Sequence, residues 1–215
     1  MKALLGRKLG MTQIFDQESG EVWPVTVLQL GPCPVVQVKR TAKEGYEAVQ
    51  IGFGAIRTTL VDLPSRGHFR KAGVEPRRHL REFRVDDASG YEVGQELTVE
   101  MFQGVAKVDV VGTSKGRGFQ GGAKRHGFHR GPRTHGSRNY RAPGSIGQHS
   151  NPGRVFLGLR MPGRMGNARV TLRNLSVRGV DTENNLLLVG GAVPGAPNAV
   201  VLVRVTEAAS AGGAP

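Results

Sequence analysis

The chain has 215 residues, a single cysteine, a formal charge of +13 and a pI near 10.8. That length holds one or two domains, and the lone Cys33 excludes an internal disulfide and any multi-cysteine zinc site. No apolar run is long enough for a signal peptide or a membrane span, so a soluble intracellular protein is expected, and the cationic excess calls for nucleic acid ahead of an anionic membrane surface.

In chain order, short β-rich runs come first. Leu4 and Leu5, then Met11–Phe15, read as a strand pair turning around Gly10. Val22–Leu30 is rich in β-branched residues and is closed by the turn signal GPCP, with Pro24 marking an edge or a bulge. Val35–Thr41 and Ala48–Phe53 follow, joined by a turn at KEGY. From Leu60 the pattern changes. SRGHFRKAG predicts a short helix ending at Gly73. Around it lies a basic cluster of Arg66, Arg70, Lys71, Arg77, Arg78, Arg81 and Arg84, read either as a nucleic-acid contact or as a solvated face salt-bridged by Glu75 and Glu82. Glu92–Val99 and Val105–Val111 return to strand character. After a long interruption come Arg169–Val180, Leu186–Val189 and Ala199–Val205, and the tail from Ala208 has too little apolar content to pack. Many short strands with frequent turn signals predict a mainly β protein, a barrel or a sandwich.

The interruption carries the charge. Fourteen Lys and Arg lie between Val110 and Val180, no acid occurs between Asp109 and Asp181, and the rest of the chain sums to −1. A one-sign block repels itself and needs a polyanion to neutralise it. It is dense in glycine, carries Pro132, Pro143, Pro152 and Pro162, and lacks helical or strand periodicity through most of its length. Such a segment does not bury enough apolar surface to offset its own ordering entropy. Phe119, Phe128, Tyr140 and Phe156 are interleaved with its arginines. Flat rings stack on unpaired bases, Arg forks onto phosphates, and Gly lets backbone approach closely. RNA fits better than duplex DNA, because no recognition helix or zinc finger is present to enter a major groove.

The candidate RNA-binding residues are therefore Lys115, Arg117, Phe119, Lys124, Arg125, His126, Phe128, Arg130, Arg133, His135, Arg138, Tyr140, Arg141, Gln148, His149, Arg154, Arg160, Arg164 and Arg169, with the upstream cluster secondary. Other motifs fall away. Gly116–Gly121 matches G-x-G-x-x-G, but no good helix follows and no acid arrives to hold a ribose. His126, His129, His135 and His149 have no carboxylate or thiol nearby to complete a metal site. Cys33, between two prolines, reads as a structural thiol at a strand boundary, and Asn174-Leu175-Ser176 is a sequon without a secretory signal. No catalytic dyad, cofactor or metal site is expected.

The same residues carry a family likeness. GRKLGMTQIF, PVTVLQLGPCPVVQVK, GYEAVQIGFG, GHFRKAGVEP, VDVVGTSKGRGFQGGAKRHGF, RAPGSIGQ, PGRVFLGLRMPGRMGNARVT and NLLLVGGAVPGAPN run in family order. By these motifs the chain resembles the bacterial type of the large-subunit ribosomal protein L3 family, from Met1 to about Val205. The resemblance implies a Greek-key β-barrel of the translation-protein type at the ribosome surface, with a short helical insertion and a long irregular basic extension. The domains expected are a discontinuous barrel of residues 1–111 and 168–207, with a basic, partly helical insertion at 60–85. An RNA-penetrating loop at 112–167 and a flexible tail at 208–215 complete them. It further implies an early-binding assembly protein that contacts large-subunit ribosomal RNA and neighbouring large-subunit proteins, in cytoplasmic ribosomes. The extension would approach the peptidyl transferase centre, its innermost loop near Arg141–Gly153. Some bacterial members carry a methylated glutamine two residues beyond the position of Gln148. Ser150 stands there in this chain, so that modification is not carried over, and His149 beside it occupies a variable tip position.

No membrane or small-molecule substrate enters this reading. Two alternatives are a free-standing RNA chaperone and an enzyme acting on nucleic acid. The second needs an acid, a nucleophile or a metal near the basic block, which holds no Asp, Glu or Cys.

Overall fold

The structure, a computed structural model, describes residues 3–16 and 20–206; the tail expected to be flexible, from Ala208, lies outside them. Strand β1 (Ala3–Phe15) and strand β2 (Val22–Leu30) form a long hairpin. An excursion follows, with β3 (Cys33–Lys39), the single turn α1 (Thr41–Glu44), β4 (Ala48–Ala55), helix α2 (Leu63–Ala72), β5 (Arg77–Arg84) and the two-residue β6 (Glu96–Leu97). Then come β7 (Lys107–Thr113), β8 (Gly118–Gln120), α3 (Gly122–His126), β9 (Gly163–Met165), β10 (Arg169–Asp181), β11 (Leu186–Gly190) and β12 (Val200–Val205). The chain forms two compact units, one of residues 1–113 with 169–215 and one of residues 114–168.

In the first unit six strands close into an antiparallel barrel in the order β1-β12-β7-β10-β11-β2. Three consecutive neighbours, β7, β10 and β11, are joined by β12 returning beside β7. This is the 4-1-2-3 order of a Greek key. The resemblance implied a Greek-key barrel, and the observed topology is one.

Closure depends on bulges. The sequence suggests a turn at Gly10, but β1 runs through it as one strand. Its register slips between Lys8 and Gly10, so that Leu9 is extra. A bulge bends a strand without ending it. The bend lets Ala3–Arg7 pair with β12 while Gly6–Phe15 pairs with β2. Strand β10 slips twice, between Leu172 and Leu175 and between Val177 and Gly179, and so passes from β7 to β11. Pro24 sits one residue beyond the last β11 pair, Gly190 with Val25, where its missing N–H costs no ladder bond.

The first β10 bulge is held by a buried carboxylate. Asn174 takes the left-handed conformation (φ 57°) and donates its backbone N–H to Asp109 Oδ1 at 3.0 Å. Asp109 also accepts Thr206 Oγ1 at 3.0 Å and Arg204 Nη2 at 3.1 Å. Burial pushes the Asp109 carboxyl up, but these donors outweigh it and hold the group below its ordinary range.

The excursion lays a second sheet, β5-β4-β3-β6, against the barrel. Leu4, Leu5, Leu28, Val108, Val110, Leu187 and Val203 from the barrel share one core with Val35, Val49, Ile51, Phe53 and Phe83 from this sheet. Glu92–Val99 does not form the expected full strand. Only Glu96 and Leu97 pair, because Val99–Phe102 coils into a 3₁₀ turn that buries Val99 and Phe102. Helix α2 ends as expected at Gly73, whose N–H bonds Arg70 while Val74 N–H reaches back to Phe69 O. Cys33 opens β3 fully buried, its thiol donating to Leu5 O at 3.4 Å. Burial pushes its pKa up to about 11, so the thiol stays protonated and inert near neutrality.

Asp109→Ala is expected to lower stability by about 1–3 kcal/mol, since it strands buried donors. A urea midpoint measures this. Because the folded-state pKa lies below the unfolded one, the carboxylate's contribution is full above roughly pH 4. It is lost as pH falls through the folded value, so the variant should also show a shallower acid leg in its stability–pH profile.

Candidate nucleic-acid interface

Residues 114–168 hold eleven Lys and Arg and no acid, and none of their side chains is buried. With no core, local hydrogen bonds give the unit its shape. At its base Ser114 N–H donates to Ala168 O at 2.9 Å and Asn167 N–H to Ser114 O at 3.1 Å. Strands β8 and β9 then pair, setting Phe119 opposite Arg164. Gly166 is left-handed (φ 72°), and a Cβ there would collide with Lys115 O, so this crossing requires glycine.

Beyond β8, α3 makes one turn and ends at the left-handed Gly127. Arg125 Nη1 donates to Met161 O at 2.8 Å, and His126 Nε2 lies 2.9 Å from the same carbonyl. A carbonyl only accepts, so Nε2 is the protonated nitrogen. The His126 and Phe128 rings lie 5.7 Å apart, and Phe128 covers Gly122. These two legs are thereby tied across the unit.

A second tie gathers two cations. Arg133 Nε and Arg130 Nη1 both donate to the Tyr140 hydroxyl, with guanidinium carbons 5.0 and 6.0 Å from its ring centre. Those arginine hydrogen bonds lower the phenol's pKa. Gly131 N–H bonds Tyr140 O at 3.2 Å and closes the loop. Like charges converge here at a site open to solvent, an arrangement that favours an anion.

The other candidates are presented outward. Lys115, Arg117, Phe119, Lys124, Arg138, Arg141, Gln148, Arg154, Arg160 and Arg164 are exposed, as are His135 and His149. His149 Nδ1 lies 2.8 Å from Ser150 Oγ, so the residue at the variable tip position has a local partner. Arg169 belongs to the barrel unit, where it pairs with Thr113 at the head of β10. Sequence reasoning places Phe156 among the rings of the block without counting it as a contact. It is exposed with Arg154 5.9 Å above its ring, beside a fully exposed Leu157. Their signal is the apolar run VFLGL inside a polar block.

The upstream cluster does not converge on one point. Arg66 Nε is used locally, donating to Val61 O at 2.8 Å; Arg84 lies 5.3 Å over Tyr46, and Arg77 rests on Gly52. Arg70, Lys71, Arg78 and Arg81 are exposed. The salt-bridged reading is corrected. Glu82 is engaged by Lys39 and by Tyr46 Oη at 2.8 Å, and Glu75 makes no ion pair with any of the cluster's arginines. Lys39 reaches Glu82 across β4, where its cross-strand neighbour is the small Ala48. Among the described residues no group of three or more His, Cys, Asp or Glu gathers as a metal site would.

Gly166→Ala should open the base of the 114–168 unit. The expected readout is faster amide hydrogen exchange at Arg117 and Phe119, with barrel amides and Tm unchanged.

The Ribosomal protein L3 family model matches residues 84–185. The chain is 56% identical over 205 residues to the large ribosomal subunit protein uL3 of Corynebacterium jeikeium, covering 95% of this chain and 94% of that protein. It is 58% identical over 207 residues to that of Kocuria rhizophila (96% and 94% covered) and 54% identical over 215 to that of Salinispora arenicola (100% and 97%). With more than half of the aligned residues identical over 95–100% of its length, the chain belongs to the ribosomal protein L3 family.

Proposed function

We propose that this chain is a structural, non-catalytic constituent of the large ribosomal subunit that grips ribosomal RNA through residues 114–168. One observation carries the reading: eleven cations stand in a segment with no acid and no buried side chain. Such a segment is ordered at little cost only where phosphates replace its counterions and RNA supplies the walls it lacks. The three relatives above are named as large-subunit proteins and none of them as an enzyme, which fits.

In this reading the barrel folds on its own core and the basic unit settles into RNA during assembly. Arg138, Arg141, Arg154, Arg160 and Arg164 neutralise phosphates and set position, while Phe119 and Phe156 offer ring faces to unpaired bases. The loop Arg141–Gly153 shapes the peptidyl transferase region from behind, with no group placed for chemistry. The exposed Arg70, Lys71, Arg78 and Arg81 add a second, weaker contact on the barrel unit.

Arg138, Arg141 and Arg154 all replaced by Ala should weaken binding to a large-subunit RNA fragment and flatten its salt dependence. The slope of log K against log salt should fall by about 0.7–0.9 for each phosphate that is no longer neutralised. Barrel Tm should not move. An unchanged slope would show that these side chains do not neutralise phosphate; equal affinity for unrelated RNA in competition would favour a general RNA chaperone.

A further inference from the structure

The two-stranded ribbon at the base of the 114–168 unit has two unlike faces. Its register sets Phe119 opposite Arg164 on one face, and both side chains are exposed. Alternation turns Gln120 and Met165 to the other face, where their cross-strand neighbours are Gly163 and Gly118. Neither glycine carries a side chain, and nothing stands within 4 Å of where a Cβ on Gly118 would lie. This leaves an open cleft of about 430 Å³ lined by Arg117, Gln120, Lys124 and Met165. Its volume is that of a small-ligand site, roughly 300–1,000 Å³.

Gln120 fixes what the cleft reads. Its Nε2 donates to Arg117 O at 2.5 Å, and a carbonyl only accepts, so the amide cannot be turned the other way round. Among the described residues no donor meets Oε1, which belongs to a half-buried side chain beside the half-buried Met165. An acceptor held in that way favours a ligand with a donor on its edge. Arg117 and Lys124 add positive charge, and no Asp or Glu occurs from 114 to 168 to cancel it. The occupant is therefore anionic, with a flat face for the Met165 thioether and an N–H for Gln120. An unpaired nucleotide has all three properties. Adenine and cytosine present an amino group where guanine and uracil present a carbonyl, which Oε1 repels. Adenine also pairs with a Gln amide through both N6 and N7, and its larger ring covers more of Met165.

We propose that this cleft is a single-nucleotide site for an unpaired adenosine of large-subunit RNA. Gln120 Oε1 accepts from the N6 amino group, Met165 supports the base, and Arg117 and Lys124 hold the flanking phosphates. The proposal rests on the ribosomal reading above and adds to it a contact that tells one base from another.

The test is analogue-interference mapping with the full chain and the large-subunit RNA fragment. Copies of the fragment carry purine riboside, which is adenosine without its amino group, at scattered adenosine positions. Bound and free copies are separated, and the substituted positions are read in each pool. The expected result is one unpaired adenosine at which the analogue weakens wild-type binding by about five-fold or more. The same substitution should cost the Gln120→Ala variant nothing. No such position in the wild type, or an equal penalty in Gln120→Ala, overturns the adenosine site alone, provided that the fragment is still bound in preference to unrelated RNA. Loss of that preference in the wild type counts instead against the ribosomal reading. A second measurement does not depend on Gln120. Met165→Ala should bind the intact fragment several-fold more weakly, yet lose nothing further when that adenosine is made abasic; additive losses overturn the proposal. Both variants should keep the wild-type barrel Tm.

Discussion

Uncompensated positive charge between Ser114 and Ala168 is the constraint on which the rest of the molecule depends. Eleven cations with no anion among them push apart, and no buried side chain opposes the repulsion. What order the unit has comes from short-range devices: a ribbon at the base, two donors meeting the Met161 carbonyl, and two arginines meeting one phenol. Each is a polar tie between nearby parts of the same unit. None excludes water, and so none replaces a core.

A segment of that kind needs its ends fixed elsewhere. Thr113 and Arg169 are partners in the β7–β10 ladder, so the chain leaves and re-enters the barrel unit at adjacent positions. The ladder is in turn secured by Asp109, which satisfies the backbone of the bulge at Asn174 and reaches Arg204 and Thr206 at the far end of the sequence. A carboxylate inside a barrel is costly to bury unless its oxygens are occupied. Here they accept three donors, from parts of the chain that are distant in sequence, which makes the residue a fastener for the closed sheet.

Much of this is legible in the residues, and the exceptions have physical causes. Val22–Leu30 and Leu186–Val189 read close to their observed bounds because β-branched or aliphatic runs flanked by turn chemistry are strong local signals. The continuity of β1 is not legible. A glycine with apolar residues on both sides reads the same whether the chain turns or bulges, and only pairing to β2 and β12 decides between them. The partner of Glu82 escapes for a similar reason, since Lys39 is far away in sequence but lies in the same sheet. In the basic unit, composition alone marks where buried side chains are missing. It does not show which arginines are outward and which, like Arg125, are spent on an internal carbonyl.

The absence of buried side chains from 114–168 has a consequence for how variation in this protein is to be interpreted. In an ordinary domain a harmful substitution has two explanations, a failure to fold or a failure to bind, and they are hard to separate. Here most exposed positions in the segment contribute little to folding, so intolerance to change reports on whatever the segment touches. A saturation library scored for growth would act as a footprint, with the neighbour's outline traced by the positions that refuse replacement.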